Sequence, residues 1–105
     1  MYINLSQKNI ENVLYLMAKT GKNKSKVIND AIEHIATIPT DILYRKIVDL
    51  NIIQEKRIKF KEKELINSWL KLYDTTIKNR IVNIAINDYT NHIKITKSND
   101  TRNIL

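Results

Sequence analysis

The chain has 105 residues, with 18 lysines and arginines against 11 aspartates and glutamates, one glycine, one proline and no cysteine. This length suits one compact domain, 43% hydrophobic residues exclude global disorder, and the lack of cysteine excludes disulfides and thiolate metal sites. Neither a membrane span nor a signal peptide is expected, so we expect a cytoplasmic protein. The net charge of +7 favours a polyanionic partner, nucleic acid ahead of a membrane surface; a basic protein whose charge has no specific role is the alternative.

The first predicted element is a strand. Ile3 and Leu5 alternate with polar residues, and a period of two is typical of a half-buried strand. Ser6 then predicts the cap of a helix that runs to about Lys19, and Gly21 predicts its end. The apolar face of this helix is expected at Ile10, Val13, Leu14 and Met17.

A second helix is expected after the turn, capped by Ser25 and ending near Ile35. Its inward face is expected to comprise Val27, Ile28, Ala31, Ile32 and Ile35. Residues 39–41, with the sequence Pro-Thr-Asp, are typical of another helix start. A short linking helix would then carry Leu43, Ile47 and Leu50.

The stretch "RIKFKE" alternates again, with Ile58 and Phe60 between Arg57, Lys59 and Lys61. A lone strand cannot satisfy its backbone hydrogen bonds, so this strand is expected to pair antiparallel with the first one. The apolar side chains of both strands would face the helices and the cationic ones would point outward. Protection of an exposed strand edge against aggregation is the alternative explanation for these charges.

The next helix is expected over about Glu62–Asp74, with apolar residues on more than one face. These are Leu65, Ile66, Trp69, Leu70, Leu72 and Tyr73. Trp69 and Tyr73 could stack on bases, but their helical spacing favours a place in the core. Asn79 is predicted to cap the last helix. The apolar stripe of that helix comprises Ile81, Val82, Ala85, Ile86, Tyr89 and Ile93.

Asp88 and His92 have the spacing of a metal-ligand pair on one helix face. No third ligand is visible in the sequence, and neither is a nucleophile–base pair or a glycine-rich phosphate loop. We therefore expect no metal, no cofactor and no catalytic residue.

The chain also repeats itself. When the sequence is aligned with itself at an offset of 55 residues, Ile3 matches Ile58, and the apolar positions of the first helix in each copy continue to match. A shift of 54 places Ser25 on Asn79 and the second helices on each other. The one-residue difference falls in a turn, where an insertion is tolerated. The chain therefore contains two strand-helix-turn-helix units, and we expect these two units to pack against each other around one shared core.

The first unit, "YINLSQKNIENVLYLMAKTGKNKSKVINDAIEHI", resembles a ribbon-helix-helix DNA-binding motif of the MetJ/Arc/CopG class. The matching features are the alternating strand, the serine cap, the apolar first helix, the "TG" turn and "KSKVINDAI". The resemblance covers Tyr2–Ile35, and Arg57–Tyr89 shares it without the turn glycine and with Asn79 where serine is usual. Tandem copies in one chain resemble TraY-type conjugation proteins and transcription regulators of archaeal filamentous viruses.

The resemblance implies a mainly helical fold with a short two-stranded antiparallel ribbon, in which residues 1–38 and 56–95 form an intrachain pseudo-dimer. Residues 39–55 would be the linker with its short helix and residues 96–105 a flexible tail, all within one compact domain. It implies a sequence-specific double-stranded DNA-binding protein, a transcription regulator such as a repressor, that does no chemistry. Copies are expected to associate side by side on DNA, in the host cytoplasm if the protein is viral.

The resemblance also assigns residues. Outward-facing ribbon residues would contact base edges in the major groove, and these are Tyr2, Asn4, Arg57 and Lys59, with Ser6 and Lys61 at the margins. Because the two strands differ, the preferred half-sites need not be palindromic. The starts of the second helices would contact phosphates, through Lys22, Lys24, Ser25, Lys26, Lys78, Asn79 and Arg80.

Functions of other classes stay open beside this one. The linking helix could bind a partner protein, as in an antitoxin-like interaction module. The protein could also be an accessory DNA-binding protein of conjugation or plasmid maintenance. A purely structural helical bundle is a further alternative, and an enzyme ranks last.

Overall fold

A computed structural model of the protein describes residues 1–49 and 56–104, with the side chains of residues 1–48 and 56–96. In chain order this part contains β1 (Tyr2–Leu5), α1 (Gln7–Thr20), α2 (Lys24–Ala36), α3 (Thr40–Asp49), β2 (Lys56–Lys59), α4 (Glu64–Leu70) and α5 (Thr75–Ile104). The protein is therefore mainly helical with one two-stranded antiparallel sheet, as the sequence predicts. No helix in this part is both long and apolar enough to cross a membrane.

The two strands pair with each other, which confirms the expected pairing. Their ladder partners are Tyr2 with Lys59, Ile3 with Ile58, Asn4 with Arg57 and Leu5 with Lys56. Met1 extends the ladder, because its carbonyl accepts a hydrogen bond from the Phe60 N–H at 3.0 Å and its amine donates to the Phe60 carbonyl at 2.8 Å. Ile3, Leu5 and Phe60 are buried and Ile58 packs against the core, so the inward face of the ribbon is apolar.

The core lies between this inward face and the helices, mainly α2 and α5. The predicted stripes of both helices are buried: Val27, Ile28, Ala31, Ile32 and Ile35 in α2, and Ile81, Val82, Ala85 and Ile86 in α5. Leu43 and Ile47 of α3 are also buried, whereas Leu50 lies outside the described residues. Trp69 and Tyr73 both pack against the core, as predicted, and their rings meet edge to face with centroids 5.7 Å apart.

The boundaries of α1 follow from two capping residues. The Ser6 hydroxyl accepts a hydrogen bond from the Asn9 N–H at 3.2 Å, which caps the start of the helix. Gly21 ends it with a φ of 69°, a left-handed conformation that favours glycine, and its N–H donates to the Met17 carbonyl at 3.0 Å. Both predicted boundaries of the first helix are thus confirmed.

The predicted apolar face of α1 is confirmed at three of its four positions. Val13 is buried and Ile10 and Met17 pack against the core, whereas Leu14 is 61% exposed. Leu65 of α4 and Leu72 just beyond α4, two of the apolar residues predicted for the next helix, are 84% and 75% exposed. The helix α4 is also shorter than the predicted stretch, because it covers only Glu64–Leu70.

The starts of α1 and α4 are offset by 57 positions, not by the 55 of the sequence repeat. The N-cap residues Ser6 and Lys63 are 57 positions apart. The buried Val13 of α1 then corresponds to the buried Leu70 of α4. A slip of two residues leaves every strand side chain on the same face, so alternation alone cannot distinguish the two shifts.

The predicted cap of the second helix is wrong as well. Asn23 caps α2, because its Oδ1 accepts a hydrogen bond from the Lys26 N–H at 2.9 Å. Ser25 lies inside the first turn, and its hydroxyl instead accepts from the N–H of Lys61 at 2.9 Å. Both residue types are good caps, so composition did not decide between them.

The last helix begins earlier and ends later than predicted. It starts at Thr75, where Asp74 Oδ1 accepts a hydrogen bond from the Ile77 N–H at 2.9 Å, so Asn79 is an internal residue and not the cap. At its other end the helix continues to Ile104, through residues for which a flexible tail is predicted.

Candidate nucleic-acid interface

Tyr2, Asn4, Arg57 and Lys59 project from the outward side of the sheet, and we call this set the ribbon face. Because Met1 and Phe60 exchange both ladder bonds, Tyr2–Lys59 and Asn4–Arg57 are non-hydrogen-bonded pairs. Such pairs bring opposite Cα atoms to about 4.5 Å, closer than the bonded pairs. The four predicted base-contacting residues are therefore brought together.

Within the ribbon face, the ring of Tyr2 lies against two cations. The Arg57 Cζ is 4.4 Å from the ring centroid, and the Lys59 Nζ is 5.5 Å from it. Both distances fall within the range of an attractive cation–π contact. The cationic side chains are therefore held near the ribbon instead of extending freely into solvent.

Asparagines of α5 hold β1 and the start of α1 in place, and we call this set the α5 clamp. The Asn79 Oδ1 accepts a hydrogen bond from the Asn4 N–H at 3.0 Å. The Asn83 Oδ1 accepts from the Ser6 N–H at 2.9 Å, and its Nδ2 donates to the Asn4 carbonyl at 2.8 Å. Asn9 Nδ2 donates to the same Asn83 Oδ1 at 2.9 Å.

The other end of the ribbon is held in the same manner by α2, and we call this the α2 clamp. The Lys61 N–H donates to the Ser25 hydroxyl, and the Lys63 N–H donates to Asn29 Oδ1 at 2.9 Å. Asn29 Nδ2 donates to the Lys61 carbonyl, also at 2.9 Å. Each second helix thus binds the junction between strand and first helix of the other unit.

The clamps place the starts of α2 and α5 beside the ribbon. Lys24 and Ser25 line a surface cleft together with Lys59 and Lys61. Thr75 and Asn79 line another cleft together with Tyr2, Asn4 and Arg57. Ser6 and Lys61, the predicted margin residues, both serve as clamped backbone positions, and the side chain of Lys61 is exposed.

At the start of α2, Asp30 modifies the predicted phosphate site. Its carboxylate binds the ammonium groups of Lys22 at 2.8 Å and Lys26 at 3.0 Å. Burial acts to raise the pKa of Asp30, but the hydrogen bonds and the positive charges of Lys22 and Lys26 together outweigh it and hold that pKa below its ordinary value. The same bonds raise the pKa of both lysines. Lys24 forms no ion pair within the described part of the chain, so it carries the least compensated charge at this end.

At the start of α5, Lys78 and Asn79 lie beside the ribbon, and Arg80 does not. Lys78 lines a cleft with Tyr2, Arg57, Lys71 and Thr75. Asn79 is buried and its Oδ1 is engaged by Asn4. Arg80 points elsewhere, because its Nη1 donates to the Ile47 carbonyl in the last turn of α3 at 3.1 Å.

Sequence reasoning missed Lys71 and Thr75 as neighbours of the ribbon. The signal that could have found them is Asp74, since aspartate is a strong N-cap residue and predicts a helix start at Thr75.

An acidic group beside the ribbon is neutralised locally. The Met1 amine binds Glu62 Oε2 at 2.8 Å, and this hydrogen bond lowers the pKa of the Glu62 carboxyl. Glu62 lines the clefts on both sides of the ribbon. Because its charge is matched by the amine, the surface around Arg57, Lys59 and Lys61 keeps an excess of positive charge.

Away from the ribbon, two histidines meet between α2 and α5. The rings of His34 and His92 have centroids 4.8 Å apart, and Asp88 pairs with the ammonium of Lys46 at 3.1 Å. Burial, followed by the nearby charge of His92, lowers the pKa of His34 against a smaller opposing effect of Asp88. Among the residues described, no group of three side chains is placed to hold a metal ion.

Comparisons with known proteins supply no relative from which a function could be carried over. No protein-family model matches the sequence, and no curated protein or solved structure matches it significantly. The function is therefore inferred from the residues, charges and hydrogen bonds of the chain itself.

Proposed function

We propose that this protein binds double-stranded DNA sequence-specifically, as a transcription regulator, with the β1–β2 ribbon in the major groove. The observation that carries the proposal is the ribbon face, where Tyr2, Asn4, Arg57 and Lys59 project together from a clamped two-stranded ribbon. The major groove is wide enough to admit such a ribbon. Arginine and lysine can donate to guanine O6 and N7, and asparagine can bond adenine through both amide atoms.

We further propose that the chain is a pseudo-dimer of two ribbon-helix-helix motifs. The two clamps support this, because Asn29 and Asn83 each bond one carbonyl and one N–H two residues further along. Their equivalence, at a shift of 54, is the one that relates the buried stripes of α2 and α5. One chain then supplies both strands of the ribbon, and copies associate side by side on DNA.

The flanks of the ribbon fit the phosphate backbones on either side of a groove. The start of α2 offers Lys24, and the start of α5 offers Lys78 and Thr75. Free backbone N–H groups and the helix dipole favour anions at both places. Since β1 carries Tyr2 and Asn4 whereas β2 carries the cations, the preferred half-sites need not be palindromic.

The first experiment is selection of bound duplexes from a random pool at moderate salt. Arg57→Ala should weaken binding to the selected site by about 1–3 kcal/mol and relax preference at one or two base pairs. Asn4→Ala should relax preference with almost no change in salt dependence, because asparagine releases no counterion. Lys24→Ala should weaken all duplexes nearly equally and lower the salt slope by about one.

Lys94→Ala is the matched control for loss of one positive charge, because Lys94 lies about 20 Å along α5 from Asn79 and packs against Tyr15. It should leave both affinity and preference nearly unchanged. If no sequence is enriched, or if the Arg57, Asn4 and Lys24 variants show the same uniform loss, the ribbon does not read sequence and the proposal fails.

An antitoxin-like interaction module is the second candidate, favoured by α3. This helix buries Leu43 and Ile47 but exposes Ile42, Tyr44 and Val48 to solvent. Enrichment of a sequence in the duplex selection at moderate salt separates the two candidates, because an interaction module without a DNA site would show at most the uniform, salt-sensitive attraction of its positive charge.

A further inference from the structure

We propose that Tyr2 is a positioning residue whose ring fixes the direction of the Arg57 guanidinium and so sets the base pair that Arg57 reads. The inference rests on the proposed function and deepens it. The base recognised at this point of the ribbon would be a guanine that faces Arg57 in the major groove.

The contact follows from the strand register. Tyr2 lies directly opposite Lys59, and Arg57 is the diagonal neighbour on the same face. Diagonal neighbours in a sheet are within reach of aromatic and long side chains. The Arg57 Cζ lies over the Tyr2 ring, 4.4 Å from its centroid, so the guanidinium is in contact with the ring.

The position of Tyr2 is itself fixed. Its neighbour Ile3 is buried, and the amide N–H and carbonyl of Asn4 are both held by the α5 clamp. The Tyr2 side chain is nevertheless 52% exposed, so the ring is available at the surface and is not required to fill the core. A ring on a fixed backbone is a suitable support for a long, flexible side chain.

Contact with the ring leaves the guanidinium able to bind a base. Its five N–H donors point outward in its own plane, and one aromatic neighbour cannot occupy them all, so donors remain for guanine O6 and N7. No hydrogen bond or ion pair of the Arg57 guanidinium occurs within the described residues. A freely rotating arginine side chain loses conformational entropy when it binds a base. The Tyr2 ring restricts the Arg57 side chain in the free protein, so less entropy is lost on binding.

The tyrosine variants separate the ring from the hydroxyl. Tyr2→Phe keeps the aromatic face, whereas Tyr2→Leu keeps apolar bulk without it. Tyr44→Leu is the matched control, because Tyr44 is a 66% exposed tyrosine of α3. In the free protein, NMR should show the Arg57 side-chain protons displaced by the ring current in wild type, Tyr2→Phe and Tyr44→Leu, but not in Tyr2→Leu.

The second measurement is affinity for the selected duplex and for its single-base-pair variants. Tyr2→Leu should lower discrimination about threefold to tenfold at the base pair that Arg57→Ala also affects, and Tyr2→Phe should keep it within about twofold. In an Arg57→Ala background, Tyr2→Leu should have no further effect on discrimination there, because the two residues act through one contact.

Equal discrimination by wild type and Tyr2→Leu, or a loss spread uniformly over all duplexes, would overturn the positioning role while leaving DNA reading intact. Absence of the ring-current displacement in the wild-type protein would overturn it before any DNA is added. A wild-type protein without sequence preference would instead remove the proposed function, and with it the base-reading role of the pair.

Discussion

The α5 clamp offers a sharp test of how the ribbon is held. Asn83 is fully buried, and its side chain forms four hydrogen bonds. One of these bonds goes to the carbonyl of Asn79, one helical turn earlier in α5, and that carbonyl can keep its backbone hydrogen bond when the side chain is removed. The other three join α5 to Ser6, Asn9 and Asn4, so Asn83→Ala removes three links between separate elements.

These three links give the expected magnitude. At about 1 kcal/mol for each net hydrogen bond, Asn83→Ala should lower the free energy of unfolding by about 3 kcal/mol. Buried groups left unpaired at the junction raise this to about 5 kcal/mol if water cannot reach them. Because small domains unfold with only about 5–15 kcal/mol, the loss would be a large share of the total.

Urea unfolding followed by circular dichroism measures the change, and Asn87→Ala is the matched control. Asn87 is exposed one turn further along α5, so its replacement should change stability by no more than about 0.5 kcal/mol. Asn83→Asp should destabilise at least as much as Asn83→Ala at neutral pH, because a carboxylate oxygen would face the Asn4 carbonyl. If Asn83→Ala and Asn87→Ala behave alike, the clamp does not hold the ribbon.

Other changes test the core, the chain count and the histidine pair. Phe60→Ala should lower the free energy of unfolding by about 3–5 kcal/mol, because Phe60 is 2% exposed beneath the ribbon; a loss within about 0.5 kcal/mol in urea unfolding would place it on the surface. The thermal midpoint should stay constant over about a hundredfold range of protein concentration, since both strands come from one chain; a rising midpoint would indicate pairing between chains. Since the pKa of His34 is lowered in the folded protein, its contribution to stability is present above the ordinary value of about 6.5 and is lost as pH falls below it. The free energy of unfolding of His34→Gln should therefore depend less on pH between about 7 and 5 than that of the wild type. An unchanged dependence would mean that another group causes it.

The inward faces of the strands and of the second helices could be predicted because each apolar pattern selects one face. Alternation in both strands placed Ile3 and Phe60 inward, and the stripe containing Ala31 and Ala85 fixed α2 against α5. The first helix of the second unit could not be placed in this way. A two-residue slip preserves strand alternation, and Leu65 and Leu72 offered an apolar face that the structure leaves in solvent.

The outward residues of the ribbon followed from alternation, but the contacts among them did not. The stack of Tyr2 on Arg57 depends on ladder register, which the sequence constrains only to within two residues. The role of Asn79 depends on Asn4, which lies 75 positions earlier in the chain. A capping residue and a buried clamp residue can share one amino-acid type, so only the tertiary structure separates them.

The clamps also determine when the protein can fold during its synthesis. β1 is made before its ladder partner β2, and the amide that satisfies the Asn4 carbonyl lies 79 positions later. Contacts between residues so far apart in sequence slow folding relative to a helical bundle stabilised by local contacts. The Asn4 carbonyl of β1 therefore stays bonded to water until Asn83 of α5 has been added.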